Sequence, residues 1–163
     1  MLKRKIEDSL IRWKDSIGHK PLVIMGIRQC GKTFIAQHFA ETNYKTVVYI
    51  NFIKQPELIT AFLGAKDVNT ILLNLSAQIS GVTFTPRETC FIFDEIQECP
   101  NARTALKFLS IDKRFDVIAS GSLLGINYKE VVSFPVGYTE SLELFSLDFE
   151  EFLWANGVSK EGV

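Results

Sequence analysis

The segment Gly26-Ile27-Arg28-Gln29-Cys30-Gly31-Lys32-Thr33 reads Gly-x-x-x-x-Gly-Lys-Thr in full, and each position has a physical reason. The two glycines permit backbone turns that aim successive N–H groups at an anion. The helix that follows presents its positive N-terminus to the same point. Lys32 brings a mobile point charge to the outer phosphates of a nucleotide, and Thr33 a hydroxyl suited to Mg2+. The pattern carries meaning only between a strand and a helix. Upstream, Pro21 to Ile27 holds the apolar run Leu-Val-Ile-Met. Downstream, Lys32 to Glu41 reads as a helix with Phe34, Ile35, His38 and Phe39 on its inner side. The phosphate-binding candidates are therefore Gly26, Ile27, Arg28, Gln29, Cys30, Gly31, Lys32 and Thr33, with Phe34 beside them. The plainer alternative is a glycine turn ahead of a helix. His38 reads as a half-buried or core-facing histidine rather than a catalytic one.

A phosphate loop needs an acidic partner at the end of a neighbouring strand. Cys90 to Ile96, Cys-Phe-Ile-Phe-Asp-Glu-Ile, is apolar until its C-terminal end. Asp94 would hold Mg2+ through its water shell. Glu95, directly after it, is placed to take a proton from the attacking water or to orient it. A solvated acidic turn is the alternative. Two further strands end on polar residues: Thr46 to Phe52 on Asn51, and Asp116 to Ser122 on Ser120 or Ser122. Ligands of open parallel sheets sit beyond the carboxyl ends of the strands, so these side chains are candidates to orient water or sense the terminal phosphate. Turn chemistry explains Asn and Ser at such places equally well.

The remaining pattern supplies the rest of an α/β sandwich. Leu2, Ile6, Leu10, Trp13 and Ile17 make one apolar stripe on an amphipathic helix over residues 1–18, closed by Gly18. A short helix follows Pro56 to Phe62, a longer one spans Val68 to Ile79, and Thr83 to Arg87 is a loop. Pro100 starts a helix through Ala105, Leu106 and Leu109. A fifth strand is expected over Leu142 to Leu147. A last helix then opens on the Asp148-x-x-Glu151 capping box and stops at Gly157. Continuous apolar strands alternating with helices imply a parallel sheet covered on both faces.

Composition bounds the function classes. The 163 residues suit one domain, and 47% apolar with 12% aromatic content excludes a mostly disordered chain. A net charge of −1 gives no global reason to expect nucleic acid or an anionic membrane. Charge is nonetheless uneven: Lys3, Arg4, Lys5, Arg12 and Lys14 lie early, and Glu140, Glu143, Asp148, Glu150 and Glu151 late. These read as two solvated helix faces, a binding surface being the alternative. Three cysteines with no CxxC pair exclude the usual zinc spacings and fit reduced thiols. Cys30, inside the phosphate loop, is either a redox-sensitive position or a filler. No run approaches the ~20 apolar residues of a membrane span, and no signal peptide is expected. A cytoplasmic, soluble protein is expected.

Four segments together are similar to a known group. Gly26 to Thr33, Asp94-Glu95-Ile96-Gln97, Ser120-Gly121-Ser122-Leu123-Leu124-Gly125 and Ser146-Leu147-Asp148-Phe149-Glu150-Glu151-Phe152-Leu153 resemble, in the same order, prokaryotic AAA-like P-loop ATPases. Nearly the whole chain is covered. The resemblance implies a three-layer αβα fold with a mainly parallel five-stranded sheet in the order 5-1-4-3-2. It implies ATP and Mg2+ as ligands, with Asp94 and Glu95 in the metal and water roles and hydrolysis driving a change in a partner. A nucleotide-dependent binding module with negligible turnover is the rival. Asn51 resembles the switch residue that restrains the catalytic glutamate, and Ser120 or Ser122 resembles sensor 1. Relatives continue into a helical lid and a nuclease-like C-terminal domain, so 1–163 is expected to be the N-terminal ATPase domain, without that lid or effector. Homo-oligomers and DNA are the partners the group suggests. Relatives often carry Gly-Arg where this chain has Gly137-Tyr138, leaving Arg103 and Arg114 as substitutes for an arginine finger. The GTP-type Asn-Lys-x-Asp pattern is missing, which favours adenine.

Overall fold

Short apolar runs become strands here because both of their faces are covered. In the computed structural model, residues 4–122, 134–135 and 137–158 are described. The strands are β1 (Leu22–Gly26), β2 (Thr46–Asn51), β3 (Thr89–Asp94), β4 (Asp116–Ser122) and β5 (Glu140–Glu143). They pair in the order β2-β3-β4-β1-β5, every pair parallel, which is the expected 5-1-4-3-2 read from the other edge. The helices are α1 (Ile6–Asp15), α2 (Lys32–Asn43), α3 (Val68–Gln78), α4 (Pro100–Asp112) and α5 (Phe149–Ala155). Pro56–Phe62 and Ile96–Glu98 are 3-10 turns.

The period-two alternation of strands splits the core in two. Leu22, Ile24, Cys90, Ile92 and Ile118 pack under α1 and α2, while Val23, Phe91, Phe93, Val117 and Ala119 pack under α3 and α4. On the second face Phe52, Phe62, Phe91 and Phe93 interlock with ring centroids 5.4–6.1 Å apart. Each such ring contributes about 1.5–3 kcal/mol by burial. β3 is buried at every position, so the acid at its end is delivered to the middle of the sheet's upper edge.

Three expectations about these elements need correction. Ile17 is fully exposed, because α1 ends at Asp15 and the chain turns through Ser16 and the left-handed Gly18; among the described residues Ile6, Leu10 and Trp13 carry the stripe. Leu2 lies outside the described residues. Phe34 faces outwards, 59% exposed and stacked on His38 four residues on, while Ile35, Ala36, Phe39 and Ala40 form the buried face of α2. The fifth strand begins earlier than its apolar run suggests. Glu140 pairs with Leu22 at the start of β1, and the last bond, Leu144 N–H to the Met25 carbonyl (2.8 Å), closes as β1 runs out. Phe145 and Leu147 fall beyond it and are exposed.

Part of the uneven charge pairs with itself across the chain. Arg4 bonds Glu151 at 3.2 Å, and Lys5 bonds Asp148 and Glu150 at 2.7 and 2.6 Å. Lys3 lies outside the described residues. The Asp148–Glu151 capping box forms as expected and points Glu151 at Arg4. The exposed Lys5 pairs contribute little. Arg4 does more: its guanidinium also donates to the carbonyls of Cys30 (3.2 Å) and Phe145 (2.6 Å), joining chain start, phosphate loop and α5.

Candidate functional site

β1 delivers the glycine loop to the upper edge of the sheet. Gln29 (φ 60°) and Gly31 (φ 93°) turn through the left-handed region, and Gly31 leads directly into α2. Gly26 is required for a different reason. A Cβ there would lie 2.4 Å from the backbone oxygen of Leu144, at the end of β5. Lys32 curls over the loop and donates to the carbonyls of Gly26 (2.9 Å) and Ile27 (2.6 Å), with Cys30 Sγ 3.8 Å away. Beside the loop, a cleft of about 620 Å³ runs between Arg4, Gln29, Gly31, Phe34 and the Ser146–Leu147 turn. Phe34, displaced from the core, is one of its walls.

Across the loop stands Asp94, 3% exposed. Burying a carboxylate is costly unless donors replace its water, and the sheet register supplies them. Asn51 is opposite Asp94 in the β2–β3 ladder, and Tyr49, two residues earlier, shares its face. Ser120 follows Ala119, which is opposite Phe93. The carboxylate accepts from Thr33 Oγ1 (2.8 Å), Tyr49 OH (2.5 Å) and Asn51 Nδ2 (3.3 Å) on Oδ2. Oδ1 accepts from Ser120 Oγ (2.5 Å) and the Glu95 N–H (3.1 Å). Thr33, Asn51, Asp94 and Ser120 are thus brought together. Ser122, 4% exposed, is opposite Gly26 at the end of β4.

Tyr49 was missed by the sequence reading. Its period-two spacing from Asn51 was the available signal. Burial, and then its bond to Asp94, pushes its hydroxyl up to about 12, so it stays a donor at any ordinary pH.

Glu95 sits in the left-handed region at φ 56°, which turns the chain out of β3 and into the Ile96–Glu98 turn. Its carboxylate accepts from Gln97 Nε2 at 2.5 Å. The Asn51 amide does not take that place: Nδ2 goes to Asp94 and the Tyr49 hydroxyl (3.3 Å), and Oδ1 accepts from the N–H groups of Ile53 and Lys54. The switch pairing implied for Asn51 is therefore not the one formed, because the ladder aims Asn51 at Asp94. Arg114 bonds Asp112 and Asn69, at the opposite end of α4 from this edge. Arg103 Nε is buried and has no hydrogen-bond partner among the described residues.

The donor set fits a small hard cation. Thr33 Oγ1 and Asp94 Oδ2 are oxygens on two rigid elements, 2.8 Å apart. Mg2+ typically takes one or two protein oxygens of this kind and fills the rest of its octahedron with phosphate and water. All three cysteines are buried free thiols. No helix among the described residues is long and apolar enough to cross a membrane.

Comparison with known proteins agrees with this fold. The model of the AAA domain family matches residues 18–153. The uncharacterized protein MJ1544 of Methanocaldococcus jannaschii is 29% identical over 154 residues, covering 94% of this chain and 31% of that protein. The chain thus spans under a third of that relative's length. Among solved structures, Drosophila ORC bound to DNA overlays with a TM-score of 0.55 at 14% identity, over 91% of this chain and 44% of that one. C. elegans PCH-2 overlays with 0.51 at 12% identity, over 99% and 51%. These two likenesses concern the fold. The family match runs through the glycine loop, the acidic end of β3 and the capped α5, and the chain belongs to the AAA domain family of P-loop ATPases.

Proposed function

We propose that the domain binds Mg-ATP on the Gly26–Thr33 loop and hydrolyses it, Glu95 orienting the attacking water. The observation that carries this reading is the meeting of Thr33 and Asp94 at 2.8 Å, with Glu95 next in the chain. The loop N–H groups and the α2 N-terminus receive the phosphates. Lys32 exchanges the Gly26 and Ile27 carbonyls for the outer phosphate oxygens, a short swing of a flexible side chain. Thr33 and Asp94 are the residues that would hold Mg2+, which when bound neutralises charge on the phosphate oxygens. Tyr49, Asn51 and Ser120 hold the Asp94 carboxylate in place through their hydrogen bonds. Ser122 and Ser120, at the end of β4, stand where the terminal phosphate is sensed. The cleft beside Phe34 receives the remainder of the nucleotide.

Turnover in this reading drives a change in a partner, either another subunit or a further domain of a longer protein such as the relative of which this chain matches 31%. DNA receives no local support from Arg4 and Lys5, whose charges are spent on α5. The test is phosphate release from Mg-ATP by wild type and Glu95→Gln over a range of protein concentrations. Hydrolysis requires the variant to bind ATP and lose turnover. A steep rise of wild-type turnover with concentration signals a neighbouring subunit completing the site. Equal release by both proteins, with ATP bound, refutes hydrolysis and leaves a nucleotide-dependent binding module.

A further inference from the structure

We infer that Gln97 is the positioning residue for Glu95: its carboxamide, anchored against the end of β4, sets the carboxylate that orients water. The inference rests on the hydrolytic reading and deepens it. Glu95 leaves β3 in the left-handed region, and nothing in the sheet ladder aims its side chain. The turn that follows does. Ile96 and Cys99 are both 0% exposed and pin it, with Glu98 N–H on the Glu95 carbonyl and Cys99 N–H on the Ile96 carbonyl, each at 3.0 Å. Gln97 rides on this pinned turn and returns Nε2 to Glu95 Oε2 at 2.5 Å.

The other end of the same amide shows that the bond is selected. Gln97 Oε1 is buried and has no donor among the described residues. Leaving a buried acceptor unmatched is unfavourable, yet rotating the amide would set its oxygen against the carboxylate of Glu95. The pairing with Glu95 therefore fixes the orientation. Space for it comes from Gly121 in β4, where a Cβ would lie 3.0 Å from Oε1 and 3.7 Å from Ile96. Gly121 sits between Ser120, which bonds Asp94, and Ser122. Asp94 and the side chain that sets Glu95 thus lean on consecutive residues of one strand, so a shift of the β4 end moves both.

The experiment compares phosphate release by wild type, Gln97→Ala and Gln97→Met, with side-chain amide NMR of the nucleotide-free protein. Methionine keeps the length and apolar stem of glutamine without the donor. Both variants should lower kcat about 10–100-fold, a part of what a general base contributes, with KM within about twofold. In the nucleotide-free protein, Glu95→Ala should shift the Gln97 Nε2 resonances. Wild-type kcat in Gln97→Met, or Gln97 resonances unmoved by Glu95→Ala, overturns the inference while hydrolysis stands. A wild-type protein that binds ATP without turnover overturns both.

Discussion

Replacing Tyr49 by phenylalanine removes one hydroxyl and leaves the ring where it is. That hydroxyl donates to Asp94 Oδ2 at 2.5 Å, and Asp94 is 3% exposed. A hydrogen bond to a charged group contributes about 1.5–3 kcal/mol. Here the carboxylate keeps Thr33, Asn51, Ser120 and the Glu95 N–H, so it is not orphaned, and the lower part of that range applies, about 1.5–2 kcal/mol. For a domain of this size the melting temperature should fall by about 3–8 °C. Thermal unfolding followed by circular dichroism measures it, and the Asp94→Asn background is the control. With the charge gone, Tyr49→Phe should cost less than ~1 kcal/mol. The pH dependence has a definite sign. The Tyr49 hydroxyl is raised to about 12, so its stabilisation is fully present below the ordinary tyrosine value of ~10 and is lost as pH climbs through 12. The gap between wild type and variant should be flat from pH ~6 to ~9 and narrow above ~10. A Tyr49→Phe protein melting with wild type, or an equal cost in the Asp94→Asn background, refutes the account of Asp94 as a buried charge held by these donors.

Gly26→Ala forces a Cβ to within 2.4 Å of the Leu144 carbonyl, which is backbone and cannot rotate aside. It should destabilise the domain by about 1–3 kcal/mol and weaken ATP binding, as read by chemical denaturation and titration with a fluorescent ATP analogue; wild-type values for both would contradict the close approach. Asp148→Ala removes the side-chain N-cap of α5, one half of its capping box, while the backbone N–H at 148 still donates to Glu151 Oε2. The Glu151 N–H, then Lys5, hold the Asp148 carboxyl below its usual range, so its contribution is present above the ordinary carboxylate pKa and lost as pH falls through the lowered one. Hydrogen exchange should show faster opening of Phe149–Ala155 in the variant at neutral pH, with the difference fading in acid. Exchange unaltered at neutral pH would mean that the cap does not hold α5.

The glycine loop, the buried strands and the capped last helix were legible because each rests on local rules. Glycine permits the turn at Gly31, an apolar run needs cover on both faces, and Asp148 with Glu151 satisfies the first N–H groups of one helix. The sheet order came with the family resemblance rather than from the residues one by one. Other features depend on which residues of distant segments become neighbours. Asn51 points to Asp94 and not to Glu95 because the β2–β3 register sets Asn51 opposite Asp94, and the same register recruits Tyr49. β5 starts at Glu140 because β1 starts at Leu22, whatever the hydropathy of Leu142 to Leu147 suggests. Phe34 faces the cleft because Ile35 and Phe39 already fill the inner side of α2. Arg4 reaches Cys30 and Glu151 across 26 and 147 positions of chain. Local propensity fixes elements within a few residues, whereas ladder register and interhelical packing are settled by contacts between segments that the chain brings together only on folding.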